Sequence, residues 1–273
     1  MRSLRHRVVV ITGSTNSIGT ATAERLAWSG ATLVLADGDE AALNRQRDYF
    51  SSAASQPLTV HTDVSDFRSL RTMFQTCLHR FGVIDVLVNC AGVIRPGSLD
   101  TVTPESIREQ LHVNVLGTIY STQLLLPTFR QQRKGHFIHV AWLGGSVPLP
   151  LEAPYSATVA AVRGFCMAMS LELRNTPINI SIICADSDAL RDGKVDRQDP
   201  YLPFRRKPLM AHDIARAIVQ TAKRPRLEVH ISRLSSTLMK LGCFSPRLLG
   251  LVHPSYQRLR ARDRRSVTEN SAH

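Results

Sequence analysis

Apolar residues in this chain come in short continuous runs, and longer amphipathic stretches separate them. The first run, Val8-Val9-Val10-Ile11, follows Arg7 and leads into a turn rich in Gly and Ser. Ile18, Ala21, Ala23, Leu26 and Ala27 then share one helical face until Gly30 ends the stretch. The alternation repeats. An apolar run over 31–36 closes on Asp37, and a polar helical stretch follows to about residue 51. Residues 58–63 precede a helix over 67–81, and the very apolar 83–88 precede one over 104–133. Strands over 136–140 and 178–184 flank a helix over 155–173, and a helix over 212–223 precedes a last strand over 227–232. Strands alternating with helices of about 10 to 15 residues predict βαβ units. The strand runs are continuous rather than alternating, as expected where helices cover both faces of a parallel sheet. The pattern therefore predicts an α/β fold, a doubly wound parallel seven-stranded sheet in one domain over 1–232, with 233–273 as a C-terminal extension.

Composition narrows the class. Of 273 residues, 43% are hydrophobic and 21% charged, which describes a globular chain rather than a disordered one. No apolar run approaches the roughly 18 to 20 residues of a spanning helix. The apolar run at 8–11 is too short for a signal-peptide core, so a cytoplasmic protein is expected. Five cysteines without a CxxC pair suggest reduced, mostly buried thiols, and ten histidines without a metal-binding pattern suggest no metal.

The formal charge is +12, and it is unevenly spread. After residue 232, eight basic residues (Arg233, Lys240, Arg247, Arg258, Arg260, Arg262, Arg264 and Arg265) oppose only Asp263 and Glu269, so half the excess lies in the extension. Its apolar positions Leu234, Leu238, Leu241, Leu248, Leu249 and Val252 recur at helical spacing, with Pro246 as a break. Two short amphipathic helices are expected, covering a substrate cleft or a neighbouring subunit, or else lying peripherally on an anionic membrane. Aromatics that could stack on bases are nearly absent there, so nucleic acid is not an expected partner.

The chemistry-bearing motifs follow the strands. After the first strand comes Thr12-Gly13-Ser14-Thr15-Asn16-Ser17-Ile18-Gly19, placed where a strand-turn-helix unit offers backbone N–H groups and the positive end of a helix dipole to a phosphate. Asp63-Val64 follow the third strand. Asp85-Val86-Leu87-Val88-Asn89-Cys90-Ala91-Gly92 spans the fourth, Asn114 stands in His112-Val113-Asn114-Val115, and Tyr155 opens Tyr155-Ser156-Ala157-Thr158-Val159. In this order and over residues 7–232, these motifs resemble the TGxxxGxG turn, the DxLVNNAG strand and the Tyr helix of the short-chain dehydrogenase/reductase family. The resemblance implies a Rossmann fold. It also implies a dinucleotide held by Thr12, Gly13, Ser14, Ser17, Ile18, Gly19, Asp37, Asp63, Val64, Asn89, Ala91, Gly92 and Tyr155, with Tyr155 and Asn114 as catalytic residues.

Asp37 ends the second strand, where a carboxylate accepts both ribose hydroxyls of NAD and repels the 2′-phosphate of NADP. With no basic residue in the turn or at Gly38, NAD is the expected cofactor, preferred over NADP.

Departures from the family pattern are equally specific. The family's acid/base Tyr works with a Lys four residues later and a Ser that bonds the substrate oxygen; here those positions hold Val159 and Trp142. An unassisted phenol titrates near pH 10, so only about one molecule in a thousand is phenolate at pH 7. Val159 offers no cation to lower that value, and Arg163, one turn further on, is not expected to replace it. An indole donates but cannot accept, so Trp142 cannot reproduce the serine. Ser17 replaces the turn's middle glycine, and Ala185-Asp186, with Asp188 nearby, replace the family's Pro-Gly.

The leading expectation is an NAD-binding family member with impaired catalysis. The alternatives are an active carbonyl reductase or alcohol dehydrogenase that uses Tyr155, and a non-enzymatic protein that docks on membrane or partner through its tail. A homo-oligomer is expected through the helices at 104–133 and 155–173, the latter presenting Val162, Phe165 and Met169 as a second apolar side.

Overall fold

The computed structural model describes residues 3–51, 56–142, 151–185 and 210–231, with Trp142 and Ala185 described by backbone alone. Strands β1 (Val8–Thr12), β2 (Thr32–Asp37), β3 (Leu58–His61), β4 (Val86–Asn89), β5 (Gly135–Trp142), β6 (Ile178–Ala185) and β7 (Glu228–His230) form one sheet in the order β3-β2-β1-β4-β5-β6-β7. Every pairing is parallel. This is the expected doubly wound α/β architecture. β1 lies at the centre, and all five of its residues are buried because β2 and β4 flank it and helices cover both faces.

The helices are α1 (Ser17–Trp28), α2 (Glu40–Tyr49), α3 (Phe67–Phe81), α4 (Pro104–Gln110), α5 (Gly117–Gln132), α6 (Ala153–Glu172) and α7 (Ala211–Lys223). Right-handed crossovers put α1 and α2 on one face, since β1, β2 and β3 step in one direction. The steps from β4 to β5 to β6 run the other way and put α5 and α6 on the opposite face, where α3 packs on α5. α7 packs on α1. Local sequence sets the helix starts: Asp39 accepts from Ala42 N at 2.8 Å, Asp66 from Arg68 N at 3.0 Å, and Thr103 from Ser106 N at 3.2 Å. Each such cap is worth about 1 kcal/mol.

Three expectations need correction. The helix expected over 104–133 is interrupted by a π-helical turn, Leu111–Leu116, between α4 and α5. That turn coincides with Asn114, whose side chain bonds the neighbouring loop instead of facing solvent. The strand expected over 83–88 begins only at Val86, because Asp85 serves as a clamp. Its carboxylate accepts from Arg7 at 2.7 Å, Lys134 at 2.9 Å and Val8 N at 3.0 Å, which ties the entry ends of β1, β4 and β5 together. Burial raises its pKa, but the bonds from Lys134, Arg7 and Val8 outweigh that and hold the carboxyl below its usual value. Finally, Val162 and Met169 are buried in this chain's own core and Phe165 packs partly against it, so they form no spare apolar side.

Cys77, Cys90, Cys166 and Cys184 are buried. Cys243, the residues 191–209 and the tail 233–273 lie outside the described residues. Among the described residues no helix is long and apolar enough to cross a membrane.

Candidate active site

Strand order reverses between β1 and β4, and in open α/β sheets ligands bind at that point beyond the carboxyl ends of the strands. A cavity of about 590 Å³ lies there, lined by Gly13, Thr15, Asn16, Ser17, Asp37, Gly38, His61, Thr62, Asp63, Val64, Ala91, Gly92, Val93 and Val113. Seven of the thirteen sequence-predicted cofactor residues are in that lining: Gly13, Ser17, Asp37, Asp63, Val64, Ala91 and Gly92. Ser14, Ile18, Gly19 and Tyr155 are not in its lining, nor are Thr12 and Asn89, which bond each other at 3.1 Å. Two glycines are sterically required. Gly13 has φ +64°, and a Cβ there would fall 2.4 Å from Ala91 N; one on Gly19 would fall 2.1 Å from Gly13 O. The turn thus presses directly on the chain leaving β4, a contact that no side chain could share.

Neighbouring groups tension the turn. Asn16 caps α1, its Oδ1 accepting from Ile18 N at 3.1 Å and Gly19 N at 2.8 Å, while its Nδ2 donates to Cys90 O at 2.9 Å. Asp37 Oδ2 accepts from Thr15 N at 3.0 Å, so the carboxylate expected to meet the ribose also shapes the turn. From α2, buried Gln46 donates to Ser14 O at 2.7 Å. Beneath the site a closed network joins Thr12, Asn89, Ser121, Thr122 and His139 in the sheet and α5. Asn16, Gln46 and His139 were not singled out from sequence, because each acts through a partner more than 30 positions away.

The second half of the site is built by Asn114 and α6. Asn114 Oδ1 accepts from Val93 N at 2.8 Å, and its Nδ2 donates to Val93 O at 2.9 Å and to Thr158 Oγ1 at 3.2 Å. Thr158 in turn donates to Tyr155 O at 2.7 Å. Asn114 therefore staples the loop after β4 to the helix turn that carries Tyr155. Tyr155 is 1% exposed, and among the described residues its hydroxyl has no hydrogen-bond partner. Burial, and then the nearby Glu152 carboxylate, push the phenol well above its ordinary value.

The model of the short chain dehydrogenases matches residues 7–187. The chain belongs to the short-chain dehydrogenase family. Two family relatives, uncharacterized oxidoreductases of Staphylococcus epidermidis and Staphylococcus aureus, are each 29% identical to it. The first alignment covers 82% of this chain and 94% of the relative, and the second 83% and 95%. A short chain dehydrogenase/reductase from Burkholderia phymatum, solved in complex with NAD, has a TM-score of 0.80 at 26% identity, covering 91% of this chain and 96% of that one. A metagenomic short-chain oxidoreductase solved in complex with NADP has a TM-score of 0.71 at 24% identity, over 84% and 96%, and bears on the fold alone.

One turn beyond Tyr155 stands Val159, where the family resemblance implies a lysine. Val159 is 5% exposed and belongs to the apolar core. Arg163 does not fill the gap, since its guanidinium grips Glu228 on β7 at 2.7 and 3.2 Å. His230, 3.2 Å from the same carboxylate, and Arg163 hold Glu228 well below its usual value against the effect of burial. Trp142 ends β5 in register with Ala185, while its indole, Asp186 and Asp188 lie outside the described residues.

Proposed function

We propose that this short-chain dehydrogenase binds NAD(H) in preference to NADP(H) and that its carbonyl–alcohol turnover is impaired. One observation carries the second half: Tyr155 is buried beside Glu152 and has apolar Val159 one helical turn away. Both features favour the neutral phenol, whereas alcohol oxidation needs a group ready to take up a proton. Support for the cofactor comes from the cavity at the strand-order reversal, the backbone contact at Gly13 and the carboxylate of Asp37 where ribose hydroxyls would donate. When bound, the nicotinamide ring supplies or takes up the hydride. The chain's own part is to hold the ribose at Asp37, approach the pyrophosphate through the turn and present the Tyr155 hydroxyl.

The test is a calorimetric titration with NADH and NADPH followed by a panel of aldehydes, ketones and alcohols. NADH should bind at least about tenfold more tightly, or about 1.4 kcal/mol. Turnover should stay at least about a hundredfold under an ordinary enzyme's roughly 1 per second. Ordinary turnover on any substrate would overturn the reading.

A second reading is favoured by the same hydroxyl. A phenol kept protonated, with no partner among the described residues, is equipped to donate to a carbonyl oxygen that reaches it, so slow reduction without the reverse oxidation would fit. Loss of that reduction in Tyr155→Phe would support it. We further propose a cytoplasmic homo-oligomer formed through α4, α5 and α6, supported by Leu111 at 42% and Leu171 at 72% exposure. In this reading the basic extension 233–273 covers the cleft or a neighbouring subunit, with an anionic membrane surface as the alternative occupant.

A further inference from the structure

Sequence alone places no cation at the turn or at Gly38, yet the fold brings an imidazole to Gly38 from another strand. In the β2–β3 pairing Asp37 lies opposite His61, on strands about 4.8 Å apart. The ring of His61 turns toward the turn after β2, its Nε2 lying 3.0 Å from Gly38 O. A carbonyl only accepts, so Nε2 carries the hydrogen and Nδ1 is the atom that gains or loses a proton. His61 is exposed and lines the same cavity as Asp37 and Gly38. Among the described residues lining that cavity, it is the one side chain able to carry positive charge. Acidic residues stand opposite it, beside Gly38 and in the cavity lining: Asp37 in register on β2, Asp39 and Glu40 following Gly38, and Asp63.

We infer that His61 is a second determinant of cofactor specificity, a proton-dependent cation beside the adenosine ribose that lets the site tolerate a 2′-phosphate when protonated and leaves Asp37 to reject it when neutral. This rests on the dinucleotide reading above and extends it, since Asp37 alone would give a preference set only by its own repulsion. The 2′-phosphate itself takes up a proton near pH 6, which eases its repulsion from Asp37 without any help from His61. Wild type alone therefore cannot decide the matter, and the contribution of His61 is the difference between wild type and a variant that keeps the bond to Gly38 but cannot titrate.

The experiment measures NADH and NADPH dissociation constants for the full chain at pH 5.5 and 8.5, in wild type, His61→Gln and His61→Arg. In wild type the ratio of the NADPH to the NADH constant should fall about tenfold or more from pH 8.5 to 5.5. In His61→Gln it should fall by a clearly smaller factor, and in His61→Arg it should be low at both pH values. Equal falls in wild type and His61→Gln would overturn the inference while leaving NADH binding, and the dinucleotide reading, intact. A ratio in His61→Arg no lower at pH 8.5 than wild type's would overturn it as well. If NADH fails to bind wild type at either pH, the dinucleotide reading falls and this inference with it.

Discussion

Buried His139 should make the protein lose stability in mild acid, before its carboxylates begin to titrate. Its ring is 1% exposed in β5, with Nδ1 3.0 Å from Asn89 Nδ2 and Nε2 3.3 Å from Thr122 Oγ1. Asn89 Oδ1 accepts from Thr12, so its nitrogen is the donor and Nδ1 must accept. Thr122 donates to Thr118 O at 2.8 Å and is left to accept from Nε2–H. The network therefore fits only the neutral ring, because a proton on Nδ1 would set two donors against each other. Burial lowers the His139 pKa from 6.5 to about 3. A folded value below the unfolded one gives stability that is complete above pH 6.5 and is lost as pH falls toward 3. Linkage puts the loss at about 2 kcal/mol between pH 8 and pH 5, with a slope approaching about 1.4 kcal/mol per pH unit below pH 6. That is a large share of a typical stability of about 5 to 15 kcal/mol. Urea unfolding at pH 8, 7, 6 and 5 measures it. The comparison is His139→Asn, whose side-chain oxygen can take the place of Nδ1 but does not titrate. The variant should be less stable throughout, by about 2 to 4 kcal/mol for the lost ring volume, yet flatter with pH. Parallel pH profiles for the two proteins would refute the assignment.

Further outcomes follow from the site and the core. Val159→Lys combined with Trp142→Ser should raise NADH-dependent carbonyl reduction by more than the product of the two single effects, because groups that act as a unit are non-additive; multiplicative effects, or an inert double variant that still binds NADH, would count against the account of these positions. Gly19→Ala should cost at least about tenfold in NADH affinity, since the added carbon would fall 2.1 Å from Gly13 O and the turn must shift; calorimetry reads this. Asp85→Ala should lower stability by about 2 kcal/mol, because the buried acceptor of Arg7, Lys134 and Val8 N is removed while both cations can still reach solvent, and urea unfolding at pH 7 checks it. Light scattering at micromolar concentration should show a species larger than the 30.3 kDa chain, and Leu171→Glu should shift it toward the monomer.

The fold was legible because each element advertises itself locally. Val8 to Ile11 can only be a strand buried on both faces, and the Gly13 and Gly19 positions are forced by contacts that follow directly from the strand-turn-helix geometry. Asp37, Tyr155 and Val159 could be located because each has its place along a single element. The remainder depends on partners distant in sequence. Nothing near Asn114 announces that its amide will pair with both backbone groups of Val93, and the π turn that accompanies this pairing has no period of its own. The opposition of His61 to Asp37 follows from strand register, and the capture of Arg163 by Glu228 joins residues 65 positions apart. Val162 and Met169 read as a spare apolar face because periodicity reports which residues are apolar, not how much of a helix the core consumes.

The four buried thiols give this chain an internal means of timing its own opening. Burial pushes Cys77, Cys90 and Cys166 up to about 12, so none of these three presents a thiolate to an alkylating reagent while the native packing holds. They sit in separate places: Cys77 in α3, Cys90 where the turn at Gly13 presses on the chain leaving β4, and Cys166 in α6, the helix that carries Tyr155. The order in which they become alkylated in a Cys243→Ser background would rank the local breathing of three regions without any attached probe. Protection of Cys90 by added dinucleotide would then report ligand closure over the turn even in a protein that turns nothing over.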